Sequence, residues 1–259
     1  MEILYLMVAL ISTTIGAISG LGGGVIIKPV LDTLGQYDIL TISLLSSFTV
    51  FSMAVVSTIK QYAAGVRFEG KRTIWLSGGS ILGGIAGKSL FSLIYQLVEN
   101  KELITASQSM ILGVLLIIVL LYLLKKNLQS FHIHNLFNIF LVGLFLGMIA
   151  SFLGVGGGPF NVVLLALLFS MDTKTAAMHS VLIILFSQFA KLLSVYVDTG
   201  FAPYNLSMLL FMMPGGILGG LIGSSLNRKF NRKFIEILFM ITIILIIGLN
   251  FYIFLKSML

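Results

Sequence analysis

Residues 237–255 read ILFMITIILIIGLNFYIFL and residues 110–124 read MILGVLLIIVLLYLL, runs without a charge and without apolar–polar alternation. A helix needs about 20 such residues to cross roughly 30 Å of hydrocarbon. In lipid the backbone must satisfy its own hydrogen bonds, so only helices and closed barrels span. Barrel strands alternate, and these runs do not. With 58% hydrophobic and 10% charged residues and a mean hydropathy of +1.09, against about 25% charge in soluble domains, the chain is an all-α polytopic membrane protein.

Other classes fall away from the same composition. The net charge of +7 sits in short loops, as membrane topology demands, so it does not indicate nucleic-acid binding. There are no cysteines, hence no disulfide or thiolate metal site. The Ser, His and Asp residues show neither nucleophile-elbow nor metal-ligand spacing, so no enzyme, metal or cofactor is expected. Glu2 stands where a signal peptide would carry its basic region. No hydrophilic stretch is long enough for a soluble domain.

The chain repeats itself. At an offset of 134 residues Gly22, Gly23 and Gly24 fall on Gly156, Gly157 and Gly158, Asp38 on Asp172, Thr41 on Thr175 and Ser46 on Ser180; two residues later in register, GGSILGGIAGKSL (78–90) meets PGGILGGLIGSSL (214–226). Internal repetition of this kind is a mark of secondary transporters. It divides one membrane domain into residues 1–126 and 127–259. Each half reads as a glycine-broken helix pair plus three transmembrane helices: 3–20, 24–34, 38–63, 73–97 and 103–124, then 135–153, 158–170, 173–197, 204–226 and 234–255. Asp38 and Asp172 are placed to cap the helices that follow them.

Loop charges orient the halves. RFEGKR (67–72) is +2, RKFNRK (228–233) is +4 and Lys125–Lys126 is basic, while ENKE (99–102) is −1 and the stretch from Asp198 to Tyr204 has no basic residue. Positive loops stay cytoplasmic, so equivalent loops lie on opposite faces and the repeats are inverted, with both termini external. Residues 135–170 must then cross an even number of times. The run after each glycine triplet, about 13 residues or roughly 20 Å of helix, is too short to span. Each triplet is therefore read as a turn at membrane depth before a re-entrant helix; two complete tilted crossings would leave the same parity.

A helix start exposes amide N–H groups with no internal acceptor and carries the positive end of the helix dipole. Two such starts, at 24–34 and 158–170, converge in an anion site if the repeats are inverted. Gly79, Gly83, Gly87 and Gly215, Gly219, Gly223 recur every four residues and read instead as helix-packing faces. The candidate substrate-facing set is Gly22, Gly23, Gly24, Gly156, Gly157, Gly158, Lys28, Ser46, Ser47, Asn161, His179, Ser180, Gln188 and Lys191. Each of the three lysines Lys28, Lys88 and Lys191 within apolar runs faces a cavity or a partner, or snorkels. The polar side chains either meet an anion or bond to their own helix. Trp75 and Tyr5 read as interface anchors, and His132 and His134 as solvated loop residues. No Asp or Glu is expected at the middle of a span, which leaves His179 as the one proton carrier in view and favours a uniport driven by the membrane potential, worth about 2.3 kcal/mol per charge per 100 mV.

LGGGVIIKP (21–29) and VGGGPFNVV (155–163), followed by LSS (45–47) and HSV (179–181), resemble the TauE/SafE family over essentially the whole chain. The second motif lacks the proline of the first at the matching position, and His179 stands where threonine is frequent. The resemblance implies export of small sulfur-containing anions such as sulfite, sulfoacetate or sulfolactate from a bacterial inner membrane, with the lipid bilayer as partner. The expected mechanism is a carrier working by alternating access at a midplane site at the two glycine turns, with a passive anion channel or a non-transporting scaffold or insertase as alternatives, and there is room for a homodimer.

Overall fold

The computed structural model describes residues 1–66, 70–125, 133 and 135–258; His132, His134 and Lys126, with residues 67–69 of the basic loop, lie outside the described residues. Among the described residues ten helices follow one another: α1 (Glu2–Ser19), α2 (Gly24–Leu34), α3 (Ile39–Ala63), α4 (Gly70–Leu97), α5 (Lys101–Leu124), α6 (Leu136–Leu153), α7 (Gly158–Phe169), α8 (Thr173–Asp198), α9 (Leu209–Lys229) and α10 (Arg232–Met258). Among the described residues there is no strand. Seven of the helices are long and apolar enough to cross a membrane: α1, α3, α5, α6, α8, α9 and α10. The 28-residue α4 is long enough but rich in glycine and serine. At 11 and 12 residues, α2 and α7 reach only about 17 Å.

The offset of 134 holds in the backbone. α1 and α6 end on left-handed glycines, Gly20 and Gly154; Gly22, Gly23, Gly156 and Gly157 also have positive φ. The amide of Gly22 reaches back to the Gly16 carbonyl, and that of Gly156 to the Ala150 carbonyl. Only glycine repeats left-handed backbone at this density without strain, which is why the two triplets break their helices. Asp38 accepts from the amides of Leu40 and Thr41, and Asp172 from those of Lys174 and Thr175, while the threonine hydroxyls bond the same carboxylates.

Each short helix brings the chain back beside the start of the helix before it. Tyr5 in α1 donates to Gln36 and meets Tyr37 edge-on. The amide of Ile133, just before α6, donates to the carbonyl of Leu168 near the end of α7. Tyr5 is thereby 1% exposed, and the expectation of an interface anchor is corrected: the returning segment 36–37 covers its ring. Trp75 stays 42% exposed near the start of α4.

The most extensive packing is α4 on α6 and α1 on α9, each pair drawn from both halves of the sequence. The glycine stripes make those contacts. A Cβ at Gly79, Gly83 or Gly87 would enter the α6 backbone, and one at Gly215, Gly219 or Gly223 would meet α1, as the packing reading expected. Between these pairs α3 lies against α8, with Leu44, Leu192 and Val195 forming one buried contact.

α9 begins at Leu209 and not near 204, because Gly200 turns with φ +68 and the Asn205 side chain takes the Ser207 amide. At one end of the bundle Lys174 donates to the carbonyls of Arg228 and Phe230, Arg232 pairs with Asp172 at 3.4 Å, and Lys60 reaches the carbonyl of Leu221 and the hydroxyl of Ser225. Burial alone would raise the Asp172 pKa, but the Thr175 hydroxyl and amide, the Arg232 charge and the Lys174 amide hold it below the usual carboxylate value. A lowered native pKa stabilises the fold above the ordinary aspartate range, and the effect fades as pH falls through the native value. Asp172→Ala is expected to cost about 1 kcal/mol, read as a lower melting temperature at neutral pH that converges on wild type under acid conditions.

Candidate functional site

The two glycine turns cross in the protein interior. Every residue of 19–25 and 153–163 is buried. A Cβ built on Gly24 would stand 2.6 Å from the Val155 carbonyl, and one on Gly158 would overlap the Leu21 carbonyl. Backbone thus packs on backbone, which side chains of any size would forbid. Ser180 bridges the two turns, donating to the Gly20 carbonyl at 2.6 Å and lying 3.5 Å from that of Gly158.

Around the crossing stand polar groups without partners. Ser46 Oγ lies 3.2 Å from the Cβ position of Gly24, Asn161 Oδ1 3.4 Å from that of Gly157, and Gln188 Nε2 4.0 Å from that of Gly156. All three side chains are essentially inaccessible. Among the described residues Ser46 Oγ, both amide atoms of Asn161 and Gln188 Nε2 make no hydrogen bond. Buried polar atoms are nearly always satisfied, so these four atoms are exceptions that call for an explanation. Gly24 and Gly158, the first residues of α2 and α7, lie at the crossing, and a helix start leaves amides without an internal acceptor, although Pro159 contributes none.

One helical turn beyond Gln188 on α8 sits Lys191, 4% exposed. Its Nζ donates to the hydroxyls of Ser43 and Ser47 on α3, each at 2.7 Å, with the Ser43 carbonyl at 3.4 Å. Ser47 also donates to the Ser43 carbonyl, which leaves a lone pair of its hydroxyl oxygen for the Lys191 ammonium. Among the described residues no carboxylate pairs with Lys191. Gly154 adjoins this cluster: a Cβ there would meet Ser43 Oγ at 2.8 Å and Lys28 Cδ and Cε at 3.5 Å. Lys28 in turn pairs with Asp32 at 3.0 Å, both side chains 4% exposed.

A narrow cleft of about 30 Å³, room for one water, runs from Lys191 and Ser43 past Phe91 and Ser92 to Lys88 and Tyr204. At its mouth Lys88 is paired with Asp198, so this lysine is neutralised near the bundle end and stands apart from the crossing.

The structure thus gathers Gly22, Gly23, Gly24, Gly156, Gly157, Gly158, Ser46, Ser180, Asn161 and Gln188 at the crossing, and Ser47, Lys191 and Lys28 immediately beside it. His179 is elsewhere. Its Nδ1 faces the Thr175 carbonyl at 3.1 Å, it borders a small cleft with Arg72 and Met171, and it lies about 18 Å along α8 from Lys191. Two contributors were not foreseen. Ser43 is one turn before Ser47 on the same face. Asp32, near the end of the short α2 and outside the middle of any span, was not singled out; its signal was the Lys28-x-x-x-Asp32 spacing that lets i and i+4 pair on a helix.

The family model for sulfite exporter TauE/SafE matches residues 5–251 of the chain. The chain belongs to the TauE/SafE family. No curated protein and no solved structure matches it. The TauE/SafE assignment and the apolar helices make it an integral membrane protein of a transporter family, and both glycine turns, Lys191 and its serines fall inside the matched span.

Proposed function

We propose that this TauE/SafE protein is an inner-membrane secondary transporter that exports small sulfur-containing anions, of the sulfite and sulfonate type, by alternating access at the glycine crossing. The observation that carries the site is Lys191: a buried ammonium held, among the described residues, only by hydroxyls and a carbonyl, one turn from unsatisfied Gln188 on α8 and bonded to Ser47, the chain neighbour of unsatisfied Ser46 on α3. A cation in an apolar interior is costly without a counter-charge, and an anionic substrate supplies one. Amides and hydroxyls at the turns add donors suited to sulfonate oxygens.

Residues 1–126 and 127–259 act as two inverted copies in this reading. The shared helix bounds, the matching glycine φ pattern and the return of α2 and α7 to the sides where α1 and α6 began all support it. With the Lys60, Lys174, Arg228 and Arg232 end in the cytoplasm, both termini face outward and Lys191 lies in the outer half. Because α1 packs on α9 and α4 on α6, the moving bodies are mixed: α1, α2, α3 and α9 against α4, α6, α7 and α8, sliding at the α3–α8 contact. The test is counterflow in proteoliposomes. Sulfite or methanesulfonate on the far side should accelerate labelled-anion exchange several-fold; flux indifferent to trans substrate would mean a channel, and no flux at all a scaffold.

A further inference from the structure

α4 packs on α8 as α9 packs on α3, and the two contacts join matching helices of the two halves. On the α4–α8 side Lys88 donates to Asp198. At the matching positions of the other side stand Ser224, which bonds the Gly220 carbonyl of its own helix, and Ala64, which caps α3 through its backbone amide. One half therefore closes this contact without an ion pair there, so packing alone does not account for Lys88 and Asp198. What distinguishes their side is the cleft, which Lys88 lines together with Lys191, Ser43, Ser92 and Tyr204. Asp198 follows Lys191 by seven residues on α8, about 10 Å of helix, so the cleft has a lysine towards each end. Between them Leu44, Phe91 and Val195 are buried and leave too little room for a sulfonate. Leu44 and Val195 belong to the α3–α8 contact, where the two bodies slide in the reading above.

We propose that Lys88 is a second anion station, on the route between Lys191 and the Asp198 end of the bundle, with Asp198 as the counter-ion that a passing anion displaces. This rests on Lys191 being the anion-facing cation. An anion leaving Lys191 meets an apolar stretch, where a lone charge is costly, and a second ammonium beyond it supplies attraction at the far end. The exposures of the pair suit an exchange of partners. The Lys88 side chain is 11% exposed and that of Asp198 is 50%. The carboxylate turns into water at little cost while a sulfonate takes its place, with the Ser92 and Tyr204 hydroxyls as further donors. When the anion passes to solution, Asp198 returns. The shielded lysine has a partner at each step, which spares the penalty of an unpaired charge away from water. Asp198 also competes with anions arriving from its own side, so the pair tunes affinity at one face of the protein and not at the other.

Half-saturation of methanesulfonate exchange, measured in right-side-out and inverted membrane vesicles holding the full-length protein, reads each face separately. Relative to the opposite face, Lys88→Gln should raise the half-saturating concentration at the Asp198 face at least about fivefold, the loss of a cation that gathers anions in a cleft. Asp198→Asn should lower it at least about threefold, and the double variant, with no cation to offer, should stay above wild type. A merely structural bridge is broken by either substitution, so both variants would then shift in the same direction and at both faces. That result overturns the proposal, as does an unchanged ratio between the faces. Should one variant fail to fold, the other decides alone, since an unmoved Lys88→Gln and a raised Asp198→Asn are each fatal. Lys191→Gln separates this station from the site on which it rests. If that variant keeps the methanesulfonate-induced rise in melting temperature, the anion site is misplaced and the station falls with it; if the rise is lost while the face ratio ignores Lys88 and Asp198, only the station is wrong.

Discussion

Gly158→Ala is expected to abolish anion flux in proteoliposomes, whereas Gly35→Ala in the same assay leaves it intact. The comparison separates two costs of losing a glycine. Gly35 caps α2 with φ +64 and has nothing within 4 Å of its Cβ position, so alanine there meets only the left-handed penalty, about 1 kcal/mol. Gly158 has ordinary helical backbone and no such penalty, but its Cβ would occupy the Leu21 carbonyl of the opposite turn. Backbone cannot rotate aside as a side chain can, so the turns must part, at an overpacking cost of about 1–3 kcal/mol. Gly24, Ser180 and the unsatisfied groups move with them. The protein should still insert and elute as a folded species with a lowered melting temperature, and flux per folded molecule should vanish. Undiminished flux together with unchanged melting would show that the turns do not need to touch, and the crossing would lose its claim to be the transport site.

The amino-acid pattern exposed a large part of this arrangement and hid a specific remainder. Glycine triplets and capping aspartates at one offset are local signals, so the breaks after Ser19 and Leu153 and the starts at Ile39 and Thr173 were legible from single residues and their spacing. The glycine stripes of α4 and α9 were legible as packing faces because a period of four leaves one side of a helix bare. Their partners were not: nothing local says that α9 lies on α1 and α4 on α6, since that choice is made by the whole bundle. The same holds for the side chains at the crossing. Lys191 stood out as a charge in an apolar run, but its hydroxyl partners come from α3, 144 and 148 residues away. Tyr5 could be recognised only as an aromatic near a helix start; whether lipid or residues 36–37 cover it depends on where α2 returns.

Lys191→Met should weaken anion binding by roughly thirtyfold or more, about 2 kcal/mol, and should leave the melting temperature of the empty protein unchanged or higher. The opposite signs follow from one geometry. In the absence of substrate the ammonium is buried among two hydroxyls and a carbonyl, a set that solvates a cation less well than water does, so its burial opposes folding. Methionine fills nearly the same volume and removes that opposition, although it leaves Ser43 without one of its contacts; Ser47 keeps its bond to the Ser43 carbonyl. With substrate present the relation reverses, because the anion meets there a buried cation that no carboxylate among the described residues compensates. A structural lysine would behave otherwise: its loss would lower the melting temperature and leave anion affinity where it was. Thermal melts in detergent with and without methanesulfonate read both quantities from one sample. The ligand-induced rise seen in wild type should disappear in Lys191→Met while the ligand-free melt holds or climbs.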